Sequence, residues 1–341
     1  MRAIVYNRTG DSSVLELSER EIAEPGPGEL RVRVVVSGVN PTDWKARRGS
    51  GTAAATEQSV PNQDGAGVVD AVGEGVTGFG VGDRVWLAIS GWKRPMSGTA
   101  QEFTITLAER AFPLPDDVSF DVGASLGVPA VTAHRALTVS EDGPDRLHPG
   151  ALDGRIVLVA GGAGAVGHAA IQLARWAGAT VITTVSGDEK VALATASGAH
   201  HLVRYRDADA AEQIREIAPG GVDIVVEVAV GANAALDQAV THERSTIASY
   251  ANDGGMPMTI DFGRAFYANL RYQFVLIYTM GAKASVAAGE DVTAAARDGA
   301  LAIGAEAGLP VHRYPLVQTA AAHDAVEGGA VGKVLIDVAP E

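Results

Sequence analysis

The sequence contains no cysteine, and this absence excludes several classes of function. Without thiols the chain forms no disulfide, holds no zinc ion through thiolates and carries no cysteine nucleophile. A chain without disulfides suits a reducing compartment, and we expect a cytoplasmic protein.

Long apolar runs and an excess of positive charge are also missing. No run of about 18 apolar residues occurs, and the opening residues MRAIVYNRTG lack the apolar stretch and cleavage site of a secretion signal. Asp and Glu number 41 against 27 Lys and Arg, and the net charge of −14 repels nucleic-acid phosphates and anionic lipids. We therefore expect a small-molecule substrate, with no nucleic acid and no membrane as partner.

The chain is long enough for two domains, with 341 residues of which 47% are hydrophobic. Up to about residue 120 it consists of short β-type runs interrupted by glycine and proline. Apolar residues and arginines alternate from Leu30 to Val34, which predicts a half-exposed antiparallel strand. The first third therefore predicts a small all-β barrel or sandwich.

The pattern changes after about residue 122, where apolar runs alternate with alanine-rich helical stretches. This alternation is typical of a doubly wound parallel sheet that helices cover on both faces. A helix-like stretch at about 293–307 precedes two further β-type runs, 310–318 and 332–338, which can return to the first domain. The expected strands of the middle domain are IVLVA at 156–160, TVITTV at 180–185, VDIVVEV at 222–228, STIASY at 245–250 and FVLIY at 274–278.

A glycine pattern, G-x-G-x-x-G, follows the first apolar run of the middle domain and precedes a helical stretch. In this setting the glycines allow a tight turn and let the backbone approach a pyrophosphate at the N-terminus of the helix. The alternative is a tight turn with close helix packing and no ligand. The candidate dinucleotide-binding residues are Gly162, Ala163, Gly164, Ala165, Val166 and Gly167.

The end of the second expected strand of this domain bears on the choice of dinucleotide. An NAD site usually places an acid on the ribose about 20 residues beyond the glycines, whereas residues 183–187 read TTVSG. Ser186, Lys190 and Tyr205 offer hydroxyls and a cation, which suit the 2′-phosphate of NADPH. The alternative is that Lys190 is solvated and Asp188 binds the ribose.

These residues, with GVNPTDWK at 38–45, GDRV at 82–85 and GKVL at 332–335, resemble the zinc-independent quinone oxidoreductases of the medium-chain dehydrogenase/reductase superfamily. The resemblance covers nearly the whole chain. It implies an α/β protein with a GroES-like β-barrel domain over residues 1–121 and 293–341 and a doubly wound Rossmann domain over 122–292. It further implies a cleft between the domains and NADPH as the hydride donor.

Zinc-dependent relatives hold a catalytic metal with two cysteines and a histidine. The matching positions here are Asn40, Gln63 and Val128, whose amide and alkyl side chains make no zinc site, so we expect no metal. The resemblance also implies that Thr132 and Lys333 contact the cofactor. For Thr132 the alternative is a helix cap.

Two residues are candidates for catalysis. Asn40 can orient the nicotinamide or a substrate carbonyl, or it can simply stabilise a turn. Lys45 stands where many bacterial quinone reductases have tyrosine, and its ammonium can stabilise the anion that hydride addition creates. Otherwise Lys45 is solvated beside Arg47 and Arg48, or it only holds the cofactor ribose.

The sequence thus predicts an NADPH-dependent reductase of a quinone or an α,β-unsaturated carbonyl, because without a metal a simple ketone lacks its usual Lewis acid. The alternatives are an enoyl or alkenal reductase of the same fold and a weakly catalytic nucleotide-binding protein with a structural or regulatory role. The apolar run 272–278 is expected to form an open sheet edge, which predicts a homodimer.

Overall fold

The computed structural model describes residues 1–50 and 58–340. Its strands are β1 Arg2–Val5, β2 Glu16–Glu19, β3 Glu29–Val39, β4 Asp64–Val72, β5 Arg84–Leu87, β6 Phe103–Leu107, β7 Ala111–Pro113, β8 Ile156–Ala160, β9 Thr180–Val185, β10 His201–Arg204, β11 Val222–Glu227, β12 Thr241–Ser249, β13 Arg271–Phe274, β14 Val311–Pro315 and β15 Lys333–Asp337. Its helices are α1 Pro41–Arg47, α2 Phe120–Thr138, α3 Ala165–Trp176, α4 Asp188–Ala196, α5 Ala210–Ile217, α6 Val230–Val240, α7 Phe262–Tyr267, α8 Ala282–Arg297 and α9 Thr319–Glu327. No helix among these described residues is long and apolar enough to cross a lipid bilayer.

The chain forms two compact units, which we call the first unit, Met1–Val128 with Pro310–Glu341, and the second unit, Pro129–Leu309. The sequence places the divisions after residues 121 and 292. In the structure α2 runs through the first of these points and α8 through the second, and the two units divide later, after Val128 and after Leu309.

The first unit is built on a mostly antiparallel sheet of strand order β14-β15-β3-β4-β5-β7, and β6 pairs with β3. The long strand β3 alternates as predicted, since Leu30, Val32 and Val34 are fully buried while Arg31 and Arg33 reach the surface. Strands β14 and β15 join the sheet beside β3, which confirms that the last two β-type runs return to it. The polar residues of the candidate site lie just after the end of β3, in α1, and at the first residues of β4 and β15.

The second unit is a parallel sheet of order β10-β9-β8-β11-β12-β13. The strand order reverses between β8 and β11, which is the arrangement of a doubly wound fold. Residues of β8 such as Val157 and Val159 are fully buried, because helices cover both faces of the sheet. The predicted α/β architecture of this part of the chain is confirmed.

Two local predictions for the second unit are wrong. The last strand ends at Phe274 and does not cover 274–278, because its neighbour β12 ends at Ser249 and the chain turns into a 3-10 helix at Ile277–Thr279. The helix expected at 293–307 is α8, which ends at Arg297. Glycines at 299 and 304, both with positive φ, follow its end.

Candidate functional site

The glycine pattern forms the turn between β8 and α3. Backbone N–H groups of Gly161 and Gly162 both donate to the Thr184 carbonyl, at 3.1 and 3.3 Å, and fasten the turn to β9. A Cβ on Gly162 would collide with the Thr183 hydroxyl, and a Cβ on Gly167 would collide with the Gly161 carbonyl oxygen. The first and third glycines of the pattern are therefore required by packing.

Gly164 is different, because packing does not require it to be glycine. A Cβ there would meet only the Gly161 oxygen, at an ordinary 3.5 Å, and the residue is exposed. Gly164 is the N-cap of α3, and no side chain of the described residues caps the helix. The first N–H groups of a helix lack intrahelical partners and favour an anion, so this open backbone fits a dinucleotide pyrophosphate.

The residues expected at a 2′-phosphate lie together at the carboxyl ends of β9 and β10. Arg204 is opposite Val185 in the ladder, so the residues that directly follow, Tyr205 and Ser186, leave the sheet side by side. The N–H of Tyr205 donates to the Val185 carbonyl at 3.3 Å, and Lys190 lies in the first turn of α4. The structure thus brings these three residues to one edge of the sheet.

The alternative ribose ligand, Asp188, has a partner in the structure. Its carboxylate accepts a hydrogen bond from the Arg204 guanidinium on the exposed surface. The guanidinium of Arg206 lies 5.7 Å from the Tyr205 ring. These two arginines were not among the predicted site residues, although basic residues flank Tyr205 on both sides in the sequence.

The first unit contains a buried cluster formed by Asn40, Asp43, Asp64 and Lys333. The Lys333 ammonium donates to the Asn40 side-chain oxygen at 2.8 Å and lies 3.7 Å from the Asp64 carboxylate. The Asn40 side-chain nitrogen donates to Asp64 at 2.6 Å. Each of these residues is 4% exposed or less, and the pairing of β3 with β4 and β15 brings them together.

Burial shifts the pKa values of the charged groups in this cluster. It raises the pKa of Asp64 and lowers the pKa of Lys333, and the attraction between the two groups opposes both changes. Burial, followed by the charge of Asp64, raises the pKa of Asp43 to about 8. Asp43 Oδ2 accepts the Asn40 backbone N–H at 2.7 Å, while Oδ1 has no partner among the described residues. Two acids therefore compete for one buried ammonium.

The three positions that match zinc ligands in related enzymes also meet near Asp64. Its carboxylate accepts both the Asn40 amide and the Val128 backbone N–H, the latter at 2.8 and 2.9 Å. Gln63 precedes Asp64, and its side-chain oxygen is buried without a partner in the described part of the chain. No group of three His, Asp or Glu side chains in the described ranges is arranged to hold a metal ion.

Lys45 lies on α1, half-buried, with its ammonium 5.7 Å from the Trp44 ring. Arg47 is fully buried and donates to Glu327 at 2.5 Å, and Arg48 donates to the same carboxylate at 2.8 Å. Both arginines are therefore paired, and Arg47 is not part of a solvated basic group.

Thr132 lies inside α2 and is nearly buried. The alternative reading that Thr132 caps a helix is wrong, because α2 runs from Phe120 to Thr138 without a break at this residue.

Comparisons with known proteins agree with this architecture. The family model described as alcohol dehydrogenase GroES-like domain matches residues 26–116, and the one described as zinc-binding dehydrogenase matches residues 165–291. A quinone oxidoreductase from Lama guanicoe is 30% identical over 342 residues, which cover 98% of this chain and 97% of the relative.

Two solved structures are similar over almost the whole chain. A mycobacterial protein complexed with NADPH is 29% identical with a TM-score of 0.81, covering 98% of this chain and 99% of the other. An NAD-dependent alcohol dehydrogenase is 28% identical with a TM-score of 0.85, covering 99% and 100%. The chain is therefore an oxidoreductase with a GroES-like and a Rossmann-type domain, and it belongs to the quinone oxidoreductase family of the medium-chain dehydrogenase/reductase superfamily.

Proposed function

We propose that this protein is an NADPH-dependent reductase that acts on a quinone or an α,β-unsaturated carbonyl without a metal ion. The proposal rests on the open glycine turn before α3 and on the end of β9 in the same sheet. There the chain has hydroxyls and cations at the position where an NAD site usually has an acid. Bound NADPH would supply the hydride. The conjugated acceptor would spread the developing negative charge.

The residues of the chain have separate roles in this proposal. The backbone of 162–167 binds the pyrophosphate, and Ser186, Lys190 and Tyr205 bind the 2′-phosphate. Thr132 remains a proposed cofactor contact. The contacts of Lys333 support an indirect role, because its ammonium donates to the Asn40 oxygen.

Asn40 has one possible orientation, since Asp64 accepts from its nitrogen and Lys333 donates to its oxygen. A primary amide nitrogen carries two hydrogens. The second hydrogen of Asn40 Nδ2 is the group that would hold the carbonyl of the nicotinamide or of the substrate.

Turnover with a panel of quinones, enones and simple ketones tests this proposal. We expect NADPH oxidation with quinones or enones, none with ketones, and unchanged rates after treatment with a strong chelator, because Asn40, Gln63 and Val128 supply no zinc ligands. Elemental analysis should find zinc below one ion per chain.

Activity that is lost on chelation and restored by zinc would contradict the metal-free mechanism. Reduction of enones alone would identify an alkenal reductase, and binding without turnover a nucleotide-binding protein.

Cofactor preference should depend on Lys190. We expect Lys190→Ala to lower kcat/KM for NADPH about 10- to 160-fold, because a charge-assisted hydrogen bond contributes about 1.5–3 kcal/mol, and to leave the value for NADH near that of the wild type. Lys283→Ala removes an exposed ammonium on α8 and serves as the control. Equal wild-type efficiencies with NADPH and NADH would rule out the proposed phosphate contacts.

The second unit also supports the proposal of a homodimer. Strand β13 is the last in its sheet, Phe274 at its end is 74% exposed, and Tyr267 on the preceding helix α7 is 85% exposed. An open edge strand with exposed apolar side chains at its end and beside it can pair with the same strand of a second copy. We expect a dimeric mass in light scattering at micromolar concentration, and a monomeric mass for Phe274→Asp. Val81→Asp, at an equally exposed site of the first unit, should leave the dimer intact, and a monomeric wild type would disprove the pairing.

A further inference from the structure

Two carboxyl groups are buried together at the carboxyl end of β11. Glu227 is the last residue of this strand and is 0% exposed, and Asp237 on α6 is 1% exposed. Neither carboxyl interacts with a lysine, arginine or histidine of the described residues. Burying an unpaired carboxylate is costly, so this pair requires an explanation.

The two carboxyls lie close enough for each to change the pKa of the other, within reach of a mutual hydrogen bond. Glu227 also accepts the Ala229 backbone N–H and the Asn233 side-chain amide, the latter at 3.0 Å, while Asp237 Oδ2 has no partner in the described chain. A hydrogen bond between two carboxyls needs a proton on one of them. Burial raises the pKa of both groups, and the charge of Glu227 raises the pKa of Asp237 further.

The surrounding elements do not neutralise the pair. Tyr250 after β12 and Asp253 in the following loop add only acidic groups, and the Tyr272 hydroxyl of β13 interacts with the Gln238 side chain. The arginines of α5 and α7 that reach α6, Arg215 and Arg264, donate to backbone carbonyls of that helix. No cation of the described residues is among the causes of either pKa shift, so a proton offsets the second negative charge.

The segment that Glu227 holds lies beside the glycine turn. A Cβ on Gly161 would be 3.3 Å from a Val228 methyl group, which places the residues after β11 against the end of β8. The Gly231 N–H donates to the Asn252 side chain at 2.9 Å and ties the same segment to the loop after β12. Because the sheet order reverses between β8 and β11, the crevice at these strand ends is where an open α/β sheet binds its ligand.

We propose that Glu227 and Asp237 are a positioning pair, in which one shared proton holds residues 228–233 in the conformation that binds the nicotinamide dinucleotide. The proposal rests on the proposed function. Loss of the proton leaves two adjacent negative charges in the interior, and one carboxylate must then reach water by displacing this segment. The fraction of binding-competent molecules falls, and the apparent dissociation constant rises by the inverse of that fraction.

The affinity for the dinucleotide should fall as the pH rises, because only the protonated pair holds the binding conformation. Affinity is constant while the pair keeps its proton and falls by up to tenfold per pH unit once the proton is lost. The dissociation constant of NADPH is to be measured by protein fluorescence from about pH 7, where the 2′-phosphate is already ionised, to about pH 10. We expect tenfold or greater weakening for the wild type across this range.

Asp237→Asn is the informative variant, because the amide still donates to Glu227 but has no proton to lose. Its dissociation constant should change less than about twofold over the same range, which is under 0.5 kcal/mol. Glu227→Gln replaces the other carboxyl of the pair and should make the profile equally flat. It provides the test if Asp237→Asn does not fold. Asp253→Asn, an exposed carboxyl on the neighbouring loop, should keep the wild-type profile.

A second measurement does not depend on the cofactor. The infrared difference spectrum between the wild type and Asp237→Asn at neutral pH should contain the C=O stretch of a protonated carboxyl. Absence of this band, a flat wild-type profile, or the same profile in Asp237→Asn would overturn the positioning role. A protein that binds no dinucleotide at any pH would overturn the proposed function with it, while binding with a flat profile would overturn the positioning role alone.

Discussion

Lys333→Met should lower the free energy of unfolding by about 3–5 kcal/mol at neutral pH, the usual loss when one partner of a buried ion pair is removed. Lys333 is the cation of the buried cluster, and its ammonium contacts Asn40 and lies 3.7 Å from Asp64. Methionine keeps most of the apolar stem, so the loss reports mainly on the charge. Denaturant unfolding followed by circular dichroism measures it.

The loss should also depend on pH. The pKa of Asp43 is raised to about 8, so folding favours its protonated form, and this contribution is present at low pH and lost as the pH rises towards 8. Without the ammonium, the carboxyls of Asp43 and Asp64 bind protons more readily on folding. We therefore expect a smaller loss of stability at about pH 5 than at about pH 8.

A matched lysine provides the control for this prediction. Lys283→Met removes an ammonium that is 91% exposed and paired with an exposed acid, and it should change stability by less than about 0.5 kcal/mol. Adding Asp64→Asn to Lys333→Met should restore part of the loss, since the uncompensated acid is then gone. If Lys333→Met costs less than about 1 kcal/mol, the buried acids are protonated in the native protein and the ammonium is not their counter-ion.

The sequence predicted those features that depend on local pattern. The strands of the second unit are continuous apolar runs because both faces of the sheet are buried, and the glycine turn has a spacing that packing enforces at Gly162 and Gly167. The end of β13 was not predictable in the same way. Residues 275–278 are as apolar as a strand, but the neighbouring strand ends at Ser249, and the ladder stops after the Val275 N–H donates to the Ser249 carbonyl.

The local sequence pattern could not predict the two polar clusters, because their members are distant in sequence. Asn40 and Asp64 are 24 residues apart, and Asn40 and Lys333 are 293 apart, so only the register of β3 with its two neighbours brings them together. Glu227 gave a weak signal as an acid at the end of an apolar run. Its significance depends on the burial of Asp237, which a single sequence does not specify.

Lys45→Met should lower kcat about 100- to 1,000-fold, the effect of removing one donor aimed at a developing anion. The segment that carries Lys45 is well defined, since Asn40 is the N-cap of α1, Pro41 is its first residue and Asp43 accepts the Asn40 N–H at 2.7 Å. The ammonium is half-buried beside Trp44, where its charge is less screened than in water. It would stabilise the enolate or hydroquinone anion that follows hydride addition.

Steady-state kinetics with NADPH and a quinone distinguishes this role from the two alternatives. A lysine that only holds the cofactor ribose would raise KM for NADPH and leave kcat unchanged, and a solvated lysine would change neither. Lys93→Met is the matched control, because the Lys93 ammonium lies 5.9 Å from the Trp92 ring in a similar cation–π pair. Lys45→Arg keeps the positive charge and should recover part of kcat. If kcat of Lys45→Met stays within about threefold of the wild type, a change of about 0.65 kcal/mol, Lys45 is not catalytic and solvent delivers the proton.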